Sequence, residues 1–258
     1  MIYIESLLRS SILYGAETMN LVKEKEWREL EKIEESVLSK IFKTTRSCSR
    51  HLLYLETGMI PARFLVRRQM LVLLQYILQQ PDDSLMNRVY QAQLKFPTKG
   101  DWASETAKIV ESFEIQLTNK EIKNMKINQF KTLVKKKTEI AAFNYLCKKQ
   151  QKGKKGKYIK YEKLQMADYL LSESCTSMQD KFDIFLLRVE MNDRPYNFGQ
   201  KEFCKLECQD LLTNEHILIC LHLNQLNCEA QYHQLLNGSA EEKIEVLNIF
   251  KKNLNELK

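Results

Sequence analysis

The chain has little glycine or proline: 7 Gly and 4 Pro in 258 residues. A strand-and-turn protein needs both at its reversals, so an all-β fold is excluded on composition. Long uncharged apolar runs are missing as well. The most apolar stretch, FLVRRQMLVLLQYIL, is broken by Arg67 and Arg68. It falls short of the roughly 18 apolar residues of a membrane span. No signal peptide is expected, because Glu5 and Arg9 interrupt the first apolar pattern. Seven cysteines, an odd number, argue against a secreted disulfide framework. The expected setting is a reducing one, nuclear or cytoplasmic, with no membrane partner.

What is abundant is Leu, Lys, Glu, Gln and Met, all good helix formers. The expected fold class is all-α, a multi-helix bundle followed by a smaller helical region. In residues 24–43, Trp27, Leu30, Ile33, Val37, Leu38 and Ile41 recur at spacings of three and four, which marks one apolar face. Glu29, Glu31, Lys32 and Glu35 then fall on the other faces. Gly58 and Pro61 stop one helix and start the next, over 62–79. Helices are expected at 84–95, 102–112, 118–124 and 126–148, with Asp82, Asp83 or Ser84 capping the first and Thr118 the third. Others are expected at 159–172, 178–191, 221–236 and 240–256. The segment KKQQKGKKGKYIKYEK interrupts the pattern and reads as a basic loop. A boundary near it divides the chain into 1–150 and 151–258.

Charge is unevenly placed. Residues 118–163 hold 15 Lys, no Arg and three acids, a net of +12. With +7 overall, the rest of the chain carries −5. A localised positive field attracts polyanions, nucleic acid first among them. The expected contacts are Lys148, Lys149, Lys152, Lys154, Lys155, Lys157, Tyr158 and Lys160. Lysines would meet phosphates while Tyr158, and Tyr161 beyond it, offer rings for base stacking. Without arginine the segment has no bidentate fork, so binding there should be sequence-independent and salt-sensitive. The plainer reading is a solvated loop with no partner.

Cys204, Cys208, His216 and Cys220 form pairs spaced Cys-x3-Cys and His-x3-Cys. Three thiols and an imidazole suit a closed tetrahedral zinc site with a structural role. The same residues also read as core cysteines beside a helix-surface histidine. His222, Cys228 and His233 stand near enough to substitute as ligands, but read first as residues of the following helix. Arg63, Arg67 and Arg68 read either as partners of acids such as Glu56 or as phosphate contacts. Arg188 reads as a partly buried structural residue, and Trp27 and Trp102 as core anchors.

Several segments come in a telling order: ILYGAETMNL at 12–21, LLYLETGMIPARFLVRRQMLVLLQYIL at 52–78, GDWASE at 100–105, FLLRVEMNDRPYNF at 185–198, then the Cys/His element at 204–220. This series resembles the carboxyl-terminal part of the reverse transcriptase of non-LTR (LINE-like) retrotransposons. The resemblance implies a thumb-like bundle followed by a zinc-knuckle-like element. It also implies a grip on RNA or DNA, with no small-molecule substrate. The family's metal element usually has Cys-x2-Cys and often His-x4-Cys, so both gaps differ here. The Tyr-x-Asp-Asp sequence that holds catalytic magnesium in that family's palm is missing. Asp82 and Asp83 stand together only in QQPDDSL, a helix start. The implied activity, RNA-directed DNA synthesis, would therefore belong to a longer parent protein. The alternative is a helical protein-interaction scaffold with a basic loop and a structural Cys/His cluster.

Overall fold

The computed structural model describes residues 9–18, 24–42, 44, 48–152, 159–172, 177–190 and 234–256. Among them the structure is helical with no strand, and Thr57 and Met166 form an isolated antiparallel bridge. The helices are α1 (Arg9–Leu13), α2 (Glu24–Ile41), α3 (Arg50–Thr57), α4 (Ala62–Gln79), α5 (Leu85–Lys95), α6 (Trp102–Ser112), α7 (Asn119–Asn124), α8 (Ile127–Lys152), α9 (Asp168–Leu171), α10 (Met178–Glu190) and α11 (Ala240–Glu256). A 3-10 turn, Ala16–Thr18, follows α1. The chain divides into two compact units, Met1–Ser36 with Ile60–Tyr145 and Val37–Met59 with Leu146–Lys258. The division falls inside α2 and inside α8, and it assigns residues 37–59 to the second unit.

In the first unit α4 is the central element, packed by α1, the 3-10 turn, α5, α6 and α7. Phe64, Leu65, Val66, Met70, Leu71, Leu74, Ile77 and Leu78 are buried along it. Its neighbours start where side chains satisfy free backbone N–H groups. Ser84 Oγ accepts from the Asn87 N–H (3.3 Å), Asp101 Oδ1 from the Ser104 N–H (2.6 Å). Thr118 and Glu121 make a reciprocal capping box. The end of α7 is held by α4: Gln75 Nε2 donates to the carbonyls of Ile122 (3.2 Å) and Met125 (2.9 Å).

The buried stripe of α2 departs from the expected apolar face. Trp27, Glu31, Glu34 and Leu38 are buried, at spacings of four, three and four, while Ile33 is 48 % exposed. Two carboxylates therefore enter the interior of the first unit. Each has a cation to neutralise it, as buried charge requires. Glu34 accepts from Arg9 Nε (3.0 Å) and from the Ala62 N–H (2.9 Å), which caps α4. Arg63 gives Nε and Nη2 to Glu31, and its Nη atoms reach Glu24 at 3.1 Å. Arg63 also lies 5.0 Å from the Tyr145 ring centroid. So Arg63 pairs with Glu31 and Glu24, not with Glu56.

The second unit is built on α3, α9, α10, α11 and the ends of α2 and α8. Phe42 stacks on Phe185 (4.3 Å) and meets Phe182 edge-on (5.9 Å). Leu52, Leu55, Ile184, Leu187, Val246, Leu247 and Phe250 complete the core. The helix expected over 159–172 is reduced to α9. The preceding backbone bonds elsewhere: Gln150 Nε2 donates to the Ile159 carbonyl (2.8 Å), the Lys160 N–H to Asn237 Oδ1 (2.9 Å) and the Ala167 N–H to the Glu56 carbonyl (2.8 Å). Long-range partners thus take the groups a helix would have used.

Candidate nucleic-acid interface

The basic segment is carried largely by α8, whose only acid is Glu139. Phe130, Val134, Ala142 and Leu146 are buried along it and fix its inward stripe. Lys131, Lys135, Lys136, Lys148 and Lys152 are exposed and make no ion pair among the described residues. Lys149 is half-buried. Lys148, Lys149 and Lys152 occupy the last turns of α8, where the helix dipole favours cations. Lys160 is exposed. Lys154, Lys155, Lys157 and Tyr158 lie outside the described residues. Tyr161, proposed for base stacking, is instead turned to Glu56, to which its hydroxyl donates.

Two adjoining grooves open on the first unit. One, of about 860 Å³, is lined by Arg9, Tyr14, Ile60, Leu65, Lys135 and Glu139 among others. The second, of about 540 Å³, is lined by Val72, Leu73, Tyr76, Ile127 and Lys131. Both share Glu17, Arg68, Gln69 and Lys135. Arg67 is taken up by rings: its guanidinium lies 5.4 Å from the Trp27 centroid and 5.7 Å from that of Phe64.

The expected structural zinc is corrected. Among the described residues no group of three or more His, Cys, Asp or Glu is placed to hold a metal ion. Cys204, Cys208, His216 and Cys220 lie outside the described residues. A buried ion pair ties α3 and α10 to the residues before α11. Arg188 on α10 donates to Glu56 on α3 through Nη2 (2.7 Å) and Nε (3.0 Å). Its Nη1 donates to the carbonyls of Leu235 (2.7 Å) and Leu236, just before α11. Tyr169 donates to the second Glu56 oxygen (2.7 Å), and Tyr161 to the first. Lys243 on α11 reaches Asp168 (3.1 Å) and the Gly238 carbonyl. Glu56 is fully buried and Arg188 nearly so. The cluster is saturated from within and has a structural role.

Its titration gives the second unit a defined pH range. Burial pushes the Glu56 carboxyl up, but the Arg188 charge and the hydrogen bonds from Arg188, Tyr161 and Tyr169 outweigh it and hold the group below its ordinary value. Burial and the Glu56 charge hold the Tyr161 and Tyr169 hydroxyls well above theirs. A depressed carboxylate stabilises the fold above the unfolded value, about 4.3, and that stability is lost as pH falls through the folded one. Raised phenols stabilise it below about 10, and that contribution is lost as pH rises further. Thermal midpoints should hold between these limits and fall on both sides. In Glu56→Gln the acid limb should flatten; an acid limb of unchanged depth would show that other carboxylates set it.

Among the described residues no helix is long and apolar enough to cross a membrane. No family model, no curated protein and no solved structure matches the chain.

Proposed function

We propose that the chain is a non-catalytic nucleic-acid-binding region, the thumb-like carboxyl-terminal part of a non-LTR retrotransposon reverse transcriptase, gripping RNA or DNA. The observation that carries the reading is that Lys131, Lys135, Lys136, Lys148 and Lys152 of α8 are exposed and make no ion pair among the described residues. Their charge is uncompensated locally, and the segment that contains them holds +12 against −5 elsewhere. Such a surface lowers its self-repulsion by binding phosphates and releasing their counterions. The order of sequence motifs supplies the family, and RNA-directed DNA synthesis belongs to the palm of a longer parent.

Filter binding of a generic RNA should saturate, and log Kobs should fall linearly with log salt. Converting Lys148, Lys149 and Lys152 together to Gln should shallow that slope by about 0.7 to 0.9 for each phosphate no longer neutralised. Affinity that is unchanged between low and moderate salt would rule out phosphate binding. A second reading, a helical protein-interaction scaffold, is favoured by α5, where Leu85 is 75 % exposed and Met86, Val89 and Leu94 are also open. A flat RNA titration would favour it.

A further inference from the structure

Unpaired cations and exposed aromatic faces meet in the two adjoining grooves of the first unit. Arg68, from α4, and Lys131 and Lys135, from α8, line the walls, and none of the three makes an ion pair among the described residues. Each groove has one exposed tyrosine. Tyr14, in the turn after α1, is 87 % exposed, and Tyr76, late in α4, is 48 % exposed. Trp27, Phe64 and Phe113 of this unit are buried, and Phe96, 70 % exposed, lies outside both grooves. Gln69 sits on the wall common to both, and its Oε1 accepts no hydrogen bond. Arg9 contributes little to the field, since Glu34 and the Ile60 carbonyl take its guanidinium.

We propose that these grooves hold a single-stranded polynucleotide, with bases stacked on Tyr14 and Tyr76 and the backbone phosphates against Arg68, Lys131 and Lys135. The inference rests on the nucleic-acid reading above and narrows it to a site and to a strand state. Either cavity exceeds the roughly 300 Å³ at which ligand sites begin. Glu17 and Glu139 line the same walls and offset part of the positive field, so a bare anion gains little there. The tyrosine rings make the difference, because stacking needs a free base face. A duplex keeps its faces against one another, whereas a single strand offers each base in turn.

The test uses the full chain and fluorescence polarisation of labelled oligo-uridylate and oligo-thymidylate, each about 12 residues long, beside a duplex of equal length. The wild type should prefer either single strand over the duplex. Tyr14→Ala with Tyr76→Ala should weaken single-strand binding by about tenfold or more and leave the duplex little changed. Lys135→Glu, on an exposed helix face, is the independent arm and should weaken both single strands, with an unchanged thermal midpoint as its folding control. If the wild type binds but both sets of variants stay within about twofold of it, the groove is overturned and the general nucleic-acid reading stands. If no probe binds, both readings fall.

Discussion

Glu56→Ala is expected to unfold the second unit or to cost it about 3–5 kcal/mol, the range for removing one partner of a buried ion pair. The reason is what the substitution leaves behind. Arg188 is 4 % exposed and keeps its charge, since a guanidinium does not give up its proton in a protein. Without Glu56 that charge keeps the carbonyls of Leu235 and Leu236 and the Tyr169 ring but no anion in hydrogen-bond contact. The hydroxyls of Tyr161 and Tyr169 lose their acceptor at the same time. The residues before α9, α9 itself and α10 all bond this one carboxylate of α3, and Arg188 links it to the approach to α11. Chemical denaturation followed by circular dichroism would read the loss. Glu56→Gln should cost less, because an amide still accepts hydrogen bonds but leaves the guanidinium charge unmatched. Replacing Glu56 and Arg188 together with Leu and Met should recover much of the loss, since a buried pair and an apolar pair of similar volume are often close in stability. A Glu56→Ala protein that melts with the wild type would show the pair to be dispensable.

The elements most legible in the sequence were those whose ends carry local chemistry. Gly58 ends α3 and Pro61 opens α4, Ser84 caps α5, and Thr118 caps α7. The lysine-rich surface was equally open to reading, because charge density needs no tertiary knowledge. What escaped depends on partners far along the chain. Glu31 and Glu34 look like solvent-facing acids of an amphipathic helix. They are interior because Arg63 and Arg9 come to them across 32 and 25 residues. The signal was present but weak: Trp27, Glu31, Glu34 and Leu38 keep the spacing of a buried face. The segment 159–167 has helical composition, yet its backbone is claimed by Gln150, Asn237 and Glu56. The grooves were invisible for the same reason, since Arg68 and Lys135 are neighbours only after folding.

Gly58→Ala should be clearly more damaging than Gly15→Ala, by about twofold or more in lost stability. Both glycines are left-handed, at φ 67° and 68°. Each Ala therefore carries the strain of an L-residue in that region, about 1–2 kcal/mol. Around Gly15 an added Cβ meets nothing within 4 Å. At Gly58 it would stand 2.3 Å from the Gln165 carbonyl carbon and 2.3 Å from the Met166 nitrogen. Those atoms are backbone, so no rotamer change relieves the overlap, and overpacking adds typically about 1–3 kcal/mol. The segment at 165–167 must move away. That motion would break the Thr57–Met166 bridge and the bond from the Ala167 N–H to the Glu56 carbonyl. Because Tyr169 follows two residues later, its bond to the Glu56 carboxylate would loosen as well. Gly58→Ala should therefore weaken the same cluster as Glu56→Ala, and combining the two should cost less than the sum of each alone. Strict additivity would mean that the close approach at Gly58 and the buried ion pair act independently.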